Sequence, residues 1–264
     1  MLSRGQPNSR QRHASIAHQV VKAHGVRWNV LTTVHRANEE RGSEVYRFLR
    51  DDLGAQFVQF IPIVERPSVG GIPTGSQVTD RSVTPHGYGR FLIEVFENWV
   101  RRDVGTVFVQ MFDTSLANWV GVSGTICVHA ETCGAALALE HNGDLYSCDH
   151  FVEPEHLLGN ITERPMLELI ASAQQVAFGN AKRDSLPGYC RQCDVRFACH
   201  GGCPRDRFTR TPDGEPGLHY LCPSYQAFFG HIDRPMRFMV AQLRSGGFAG
   251  EVMAWYRGQA DPSL

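Results

Sequence analysis

Residues 190–203 read CRQCDVRFACHGGC, which places four cysteines at the spacing C-x2-C-x5-C-x3-C. Thiolates two residues apart can point at one metal from a tight turn, and Gly201 and Gly202 let the backbone approach sulfur closely. All eight cysteines of the chain lie between positions 127 and 222, and the first 126 residues contain none. This clustering predicts metal–sulfur chemistry. The cysteines outside the motif are Cys127, Cys133, Cys148 and Cys222.

Eight thiolates divide into two sets of four, which suits two iron–sulfur clusters or two zinc ions, and spacing alone does not choose between these metals. A disulfide framework is the third alternative. It is typical of small secreted domains, whereas this chain is large and its first residues lack the apolar core of an export signal. Iron–sulfur sites are therefore the favoured interpretation. By spacing, 127/133/148 and 190/193/199 form two groups of three, with Cys203 and Cys222 left to place.

The bulk composition excludes several classes of protein. The 264 residues carry a formal net charge of −1, so neither a basic surface for nucleic acid nor an acidic tail is indicated. No run of eighteen apolar residues occurs, and we expect no membrane-spanning helix. With no secretory signal recognised, we expect a cytoplasmic protein without nucleic-acid or membrane partners.

The first 121 residues predict an α/β fold in which short apolar strands alternate with amphipathic helices. A strand, a helix and a strand in this order predict a right-handed βαβ unit, and we expect the strands to be buried on both faces. Three strands are too few to close an eight-stranded barrel. The loop 65–86 follows a strand end, where barrel enzymes hold their active sites. The strands are predicted at 28–34, 56–64 and 107–112, and the helices at 14–24, 39–53, 88–102 and 115–120.

From residue 122 onward the pattern changes. The stretch 136–148, ALALEHNGDLYSC, alternates around Asn142-Gly143 and predicts a β-hairpin that carries Cys148 at its far end. A helix is predicted over 166–179, ending at Gly179, and the chain closes with apolar helical segments that we expect to contribute to packing. We therefore predict three segments, at 1–121, 122–232 and 233–264.

The complete cysteine pattern, with Gly143 five positions before Cys148, resembles the SPASM domain of radical S-adenosylmethionine enzymes. Three longer stretches are similar to the anaerobic sulfatase-maturating enzymes within that family. The resemblance implies the C-terminal part of a partial (β/α) radical-SAM barrel, followed by a SPASM domain with a β-hairpin and cysteine-rich loops. The stretches are EHNGDLYSCDHFVEPEHLLGNI (140–161), YCRQCDVRFACHGGCPRDRF (189–208) and GRFLIEVFENWVRRDVGTVFVQMFD (89–113).

The resemblance also implies the cofactors and the site. Two auxiliary 4Fe–4S clusters are expected, and Asp149 matches the catalytic base proposed for the family. The implied activity is oxidation of a Cys or Ser of a sulfatase polypeptide to Cα-formylglycine, with an external electron donor as a further partner. The implied ligands are Cys127, Cys133, Cys148 and Cys203 for the first cluster, and Cys190, Cys193, Cys199 and Cys222 for the second.

One motif of the family has no counterpart in this sequence. The family's C-x3-C-x2-C segment holds a third 4Fe–4S cluster, which binds S-adenosylmethionine, yet no cysteine precedes Cys127. We expect this chain to be N-terminally truncated relative to the family and inactive alone, with those two cofactors present only in a full-length form. Two alternatives stay open: another peptide-modifying radical SAM/SPASM enzyme, or a stand-alone iron–sulfur module for electron transfer or peptide binding. The alternative for Asp149 is a solvated acid at the hairpin end.

Overall fold

The computed structural model describes residues 19–70, 72–122 and 126–259. Helix α2 continues into a π-helical turn at Phe48–Asp52, and 3-10 turns occur at Cys127–His129, Pro154–His156, Pro204–Asp206 and Ala249–Glu251. The helices are α1 (residues 19–23), α2 (Gly42–Arg47), α3 (Gly87–Trp99), α4 (Gln110–Val120), α5 (Met166–Ile170), α6 (Ala173–Asp184), α7 (Gly188–Arg191), α8 (Arg196–Cys199), α9 (Cys222–Arg244) and α10 (Val252–Arg257). The strands are β1 (Val30–Val34), β2 (Phe57–Pro62), β3 (Ser68–Val69), β4 (Ile72–Pro73), β5 (Phe108–Val109), β6 (Ala138–Leu139), β7 (Asp144–Tyr146), β8 (Leu157–Asn160), β9 (Thr209–Arg210) and β10 (Pro216–Leu218).

The N-terminal half is built on a parallel sheet with the strand order β1-β2-β5, which confirms the predicted βαβ arrangement. Val34, Val58 and Phe60 on one face are buried under the helices. On the other face Leu31 is 58% exposed and Phe57 51% exposed. The prediction of burial on both faces was therefore wrong, because the described helices cover only one side of the sheet.

Helix α3 forms the centre of the main core and confirms the helix predicted over 88–102. Phe96 and Trp99 are buried and make tilted and edge-to-face ring contacts with Phe112 of α4, and Phe112 stacks on Phe228 of α9. Helix α9 therefore joins the C-terminal part of the chain to the sheet layer. Gly89 strengthens this junction, since its backbone N–H donates to the hydroxyl of Ser224 at 2.8 Å.

The predicted strand over 107–112 was too long. Only Phe108–Val109 forms β5, and α4 begins at Gln110 rather than at residue 115. Met111 and Phe112 are buried in either conformation, and a short apolar run does not distinguish a strand from a buried helix. In the structure Phe112 packs, as part of the helix, against α3 and α9. Of the helix predicted over 14–24, residues 14–18 lie outside the described residues, and 19–23 are helical.

The single helix predicted over 166–179 consists of α5 and α6, separated at Ser172. The Ser172 hydroxyl accepts from the backbone N–H of Gln175 and so caps a new helix. Gly179 does not end α6. A Cβ there would lie 2.8 Å from the carbonyl oxygen of Cys133, so the glycine instead permits close approach of the cysteine loop.

The C-terminal half has little apolar core of its own beyond a small cluster. The predicted hairpin is confirmed as β6 and β7, with Gly143 at φ 93°, and β8 completes an antiparallel sheet. Leu145, Leu158 and Leu169 pack together beneath it. The proposed division at 121/122 and 232/233 stays a prediction, although α9 runs through the second boundary. Within the described ranges, no helix is long and apolar enough to cross a bilayer.

Candidate iron–sulfur centre

Four cysteines line one pocket at the start of α9. Cys190 lies in α7, Cys199 ends α8, and Cys222 begins α9, while Cys193 occupies the turn between α7 and α8. Burial raises the pKa of Cys222 to about 12, and the nearby thiols of Cys199, Cys190 and Cys193 add to the rise. The structure therefore brings together the four cysteines expected to hold the second cluster.

The other four cysteines meet on the opposite side of the 190–203 stretch. Burial raises the pKa of Cys203 to about 12, and Asp206, Cys133 and Cys127 raise it further. The pKa of Cys148 is also raised to about 12, mainly by burial, with Cys203 among the neighbours that contribute. These mutual effects place Cys127, Cys133, Cys148 and Cys203 in one neighbourhood, the set expected for the first cluster.

Helix α6 anchors the segments that carry Cys127, Cys133 and Cys148, three of the four cysteines expected to hold the first cluster. The backbone N–H of Cys133 donates to the carbonyl of Gly179 at 3.1 Å. The amide of buried Gln175 donates to the carbonyls of Gly134 and Ser147, the latter directly before Cys148. Nζ of Lys182 donates to the carbonyl of Cys127 at 2.6 Å. One helix face thus fixes both the 127–133 loop and the hairpin end.

A short left-handed linker separates Cys199 of one set from Cys203 of the other. His200, Gly201 and Gly202 have φ values of 49°, 73° and 64°, a conformation that disfavours side chains. A Cβ on Gly201 would lie 2.3 Å from Leu186 Cδ2, and one on Gly202 would lie 2.3 Å from His219 Cδ2. The linker therefore reverses the chain within three residues and directs two nearby cysteines to different sets.

The donor set fits polynuclear clusters better than single ions. All eight cysteines are free thiols. Among the described residues, no three His, Cys, Asp or Glu side chains are close enough to hold a single metal ion. A 4Fe–4S cluster has four iron atoms, each bound to one thiolate, so its ligands stand farther apart than those around one zinc ion. Burial raises the pKa of six of these thiols, so metal binding would release their protons; the six are Cys133, Cys148, Cys190, Cys199, Cys203 and Cys222.

Asp149 lies beside the first set, at the solvent-exposed end of the hairpin. Its Oδ1 accepts a hydrogen bond from Cys148 Sγ at 3.2 Å, and its backbone N–H donates to the carbonyl of Ala136. The next residue, His150, donates its backbone N–H to Cys148 Sγ at 3.4 Å, and its ring Nδ1 lies 3.5 Å from Cys203 Sγ. The carboxylate is thus both adjacent to a cysteine of the set and accessible to a substrate.

The sequence analysis missed several polar residues around the cysteines. Burial raises the pKa of Asp206 to about 6, although His150, Arg66 and Arg205 oppose the rise. His219 is buried, and burial lowers its pKa to about 3. Lys182 is 1% exposed. From sequence, an isolated charged residue is predicted to lie on the surface. Only the three-dimensional structure shows that these residues are buried near the cysteines.

A second pocket lies on the exposed face of the parallel sheet. It is lined by polar groups that include Gln59, Gln110 and Asp113, together with Phe57 and Phe108, whose rings stack at 5.2 Å. Desolvation raises the pKa of Asp113 to about 6. The pocket offers a polar and aromatic lining near the ends of the strands.

Comparison with known proteins agrees with this geometry. The family model of the SPASM domain, described as an iron–sulfur cluster-binding domain, matches residues 127–194. A serine-type anaerobic sulfatase-maturating enzyme of Bacteroides thetaiotaomicron is 42% identical over 243 residues, covering 89% of this chain and 58% of the relative. One from Klebsiella pneumoniae is 32% identical over 215 residues, covering 81% and 50%. A cysteine-type enzyme of Clostridium novyi is 25% identical over 213 residues, covering 80% of this chain and 55% of the relative.

The solved structure of native anSMEcpe with bound AdoMet shares the fold, with a TM-score of 0.73, 24% identity, and coverage of 87% of this chain and 61% of that one.

The fold and the cysteine arrangement define an iron–sulfur protein with a SPASM domain. The chain is a homologue of the anaerobic sulfatase-maturating enzymes, which it matches over 89% and 81% of its own length at 42% and 32% identity. The expected family, fold class and iron–sulfur cofactor are therefore confirmed. The chain spans about half the length of the curated relatives it matches. The individual ligand assignments and the role of Asp149 stay predictions.

Proposed function

We propose that this chain provides the auxiliary-cluster part of a sulfatase maturase, which oxidises a Ser or Cys of a sulfatase polypeptide to Cα-formylglycine. The observation that carries the proposal is the junction at 199–203, where two four-cysteine neighbourhoods meet beside an accessible carboxylate. Similarity to enzymes with this activity, at 42% and 32% identity, supports the reaction class. Both relatives are named serine-type enzymes, so a serine residue is the first substrate to test.

The ligand assignment follows the two neighbourhoods. Cys127, Cys133, Cys148 and Cys203 hold one 4Fe–4S cluster, and Cys190, Cys193, Cys199 and Cys222 hold the other. Cys203→Ala should therefore remove the spectroscopic signal of one cluster and leave the second, although Cys203 is only four residues from Cys199. Loss of both signals in equal proportion, or of neither, would reject the assignment.

Asp149 acts as the general base. When bound, S-adenosylmethionine with its own cluster supplies hydrogen abstraction from Cβ of the substrate residue, and the auxiliary clusters supply a route for the released electron. Asp149 accepts the hydroxyl or thiol proton of that residue at its carboxylate. Its position next to Cys148 brings the site of proton removal close to the first cluster. Exposure of its side chain leaves room for a peptide.

A chimeric enzyme tests the function directly. This chain would replace the matching 243-residue region of the Bacteroides relative, which contributes the remaining segment. Incubation with a sulfatase-derived peptide, S-adenosylmethionine and a reductant should convert its serine to formylglycine, detected by mass spectrometry, while the same peptide with alanine at that position should not react. A chimera that holds its clusters and cleaves S-adenosylmethionine, yet leaves both serine and cysteine peptides unmodified, would contradict the proposal.

A further inference from the structure

Two cationic side chains lie among the cysteines without an acidic partner. Lys182 is 1% exposed, and its Nζ donates to the carbonyls of Cys127, Val128 and Ala130. Within the described part of the chain, no carboxylate lies within 4 Å of this ammonium group. A buried charge without a counter-ion is costly, because carbonyl dipoles replace only part of the lost hydration.

Arg207 is the second cation, and it braces the left-handed linker. Its Nε donates to the carbonyl of Gly201 at 2.8 Å, and Nη2 donates to those of His200 at 3.0 Å and Gly202 at 3.3 Å. Its Nη1 donates to the backbone carbonyl of Lys182 at 2.7 Å, which ties the guanidinium to helix α6. Arg207 also has no carboxylate within 4 Å among the described residues.

Another buried cation of the described chain does have acidic partners. Arg50 is also largely buried and pairs with both Asp51 and Asp103. The anionic neighbours of Lys182 and Arg207 are the cysteines instead. Burial lowers the pKa of Lys182, while the thiols of Cys133, Cys127 and Cys203 raise it.

Arg207 interacts with both cysteine sets. Burial lowers its pKa, and this is opposed by Cys190 and Cys199 of one set and by Cys133 and Cys203 of the other. The two cations also repel each other, since each stands close to the other. These two cations are stabilised when the neighbouring thiols carry negative charge, as cluster ligands do.

We propose that Lys182 and Arg207 are the built-in counter-charges of the two clusters, with Arg207 shared by both and Lys182 serving mainly the cluster of Cys127, Cys133 and Cys203. The proposal rests on the cluster assignment made above. Each electron accepted by a thiolate-bound cluster adds negative charge, so a fixed cation stabilises the reduced form and raises the reduction potential. The charges of the two residues make the auxiliary clusters better electron acceptors, and neither residue touches the substrate.

The test is a redox titration of the reconstituted 264-residue protein. Electron paramagnetic resonance monitors the titration, so that the signal of each cluster is resolved. Arg207→Gln removes the charge but keeps an amide donor for the linker carbonyls, and Lys182→Gln does the same at the second position. Arg183→Gln is the matched control, because Arg183 is the next residue of α6 but is exposed and paired with Asp184. Iron and sulfide are measured for every variant.

Arg207→Gln should lower the midpoint potentials of both clusters, Lys182→Gln should lower that of the Cys203 cluster more than that of the other cluster, and Arg183→Gln should change neither. Unchanged potentials in a fully loaded Arg207→Gln protein, or a shift of one cluster only, would overturn the shared role. If Arg207→Gln does not load, Arg207→Lys decides: restored loading supports the counter-charge, and failure of both variants assigns Arg207 to linker geometry instead. A wild-type protein that binds no iron would refute the cluster assignment itself, which is a separate outcome.

Discussion

Single residues in the 199–203 linker decide how eight cysteines become two sites. Gly201 and Gly202 are required because neighbouring side chains occupy the space where a Cβ would lie. Spacing alone formed two groups of three cysteines, 127/133/148 and 190/193/199, and left Cys203 and Cys222 unplaced. The pairing could not be derived from spacing, since the reversal at 200–202 packs against Leu186 and His219, which are distant in sequence, and is braced by Arg207.

Gly201→Ala tests the linker. The substitution introduces strain on the order of 1–3 kcal/mol from the positive φ, and adds a clash with Leu186. We expect lower iron content and a lower free energy of unfolding in urea. Gly214→Ala is the matched control, because Gly214 also has a positive φ, at 90°, but has no atom within 4 Å of its Cβ position. Equal iron loss in both variants would show that strain alone, and not the linker contact, accounts for the effect.

Asp149→Asn tests the base. In a form that also carries the C-x3-C-x2-C segment, we expect formylglycine formation to fall by about 10²–10⁴-fold, since an amide cannot accept the substrate proton. Iron content and cleavage of S-adenosylmethionine should stay normal. Asp213→Asn, in the exposed turn between β9 and β10, is the control for removing an acid. Normal product formation by Asp149→Asn would show that Asp149 is not the general base.

At the level of elements, helical and strand periodicity predicted α2, α3, β1, β2 and the β6–β7 hairpin. The errors arose where burial or contacts with distant segments decided. Met111 and Phe112 are buried within α4, and Gly179 serves close packing against Cys133 rather than helix termination. The exposed sheet face was likewise not predictable, because an apolar strand does not reveal whether both of its faces are covered.

The contacts between α3, α9 and α10 make stability depend on pH. Burial alone would raise the pKa of Glu97, but hydrogen bonds from His231 and Tyr256 and the ion pair with Arg101 outweigh it and lower the pKa to about 2. A depressed carboxylate pKa stabilises the fold above the unfolded-state pKa of about 4.5 and loses this contribution as pH falls towards 2.

We expect Glu97 to contribute about 2 kcal/mol at neutral pH, after a discount for its partial exposure. Urea unfolding of the metal-free protein, measured at several pH values, should show Glu97→Gln less stable at pH 6 and closer to wild type at pH 3. Glu44→Gln, at an exposed pair with Arg41 in α2, is the control. An equal difference between Glu97→Gln and wild type at both pH values would contradict the shifted pKa.

For the whole molecule, the two halves differ in what holds them together. The sheet and α3, α4 and α9 share a large aromatic core, whereas the hairpin region has a small cluster of leucines and loops that carry cysteines. Ligand bonds therefore replace apolar packing around the cysteines. The cysteine spacing predicted metal–sulfur chemistry in this region, but not the cations that accompany it.

Removal of the clusters should unfold one half selectively. After anaerobic treatment with an oxidant and chelator, hydrogen exchange monitored by mass spectrometry should show lost protection over 127–222 and retained protection in α3 and its core neighbours. Reconstitution with iron and sulfide should restore the protection. Unchanged exchange around the cysteines after complete iron loss would show that the loops fold without metal.

The most direct test of the central claim is the metal content of the 264-residue protein after purification without oxygen. Two clusters held by two interleaved cysteine sets predict about eight iron and about eight sulfide per chain, with broad visible absorption that bleaches on reduction. Stoichiometric zinc without visible absorption would contradict the account.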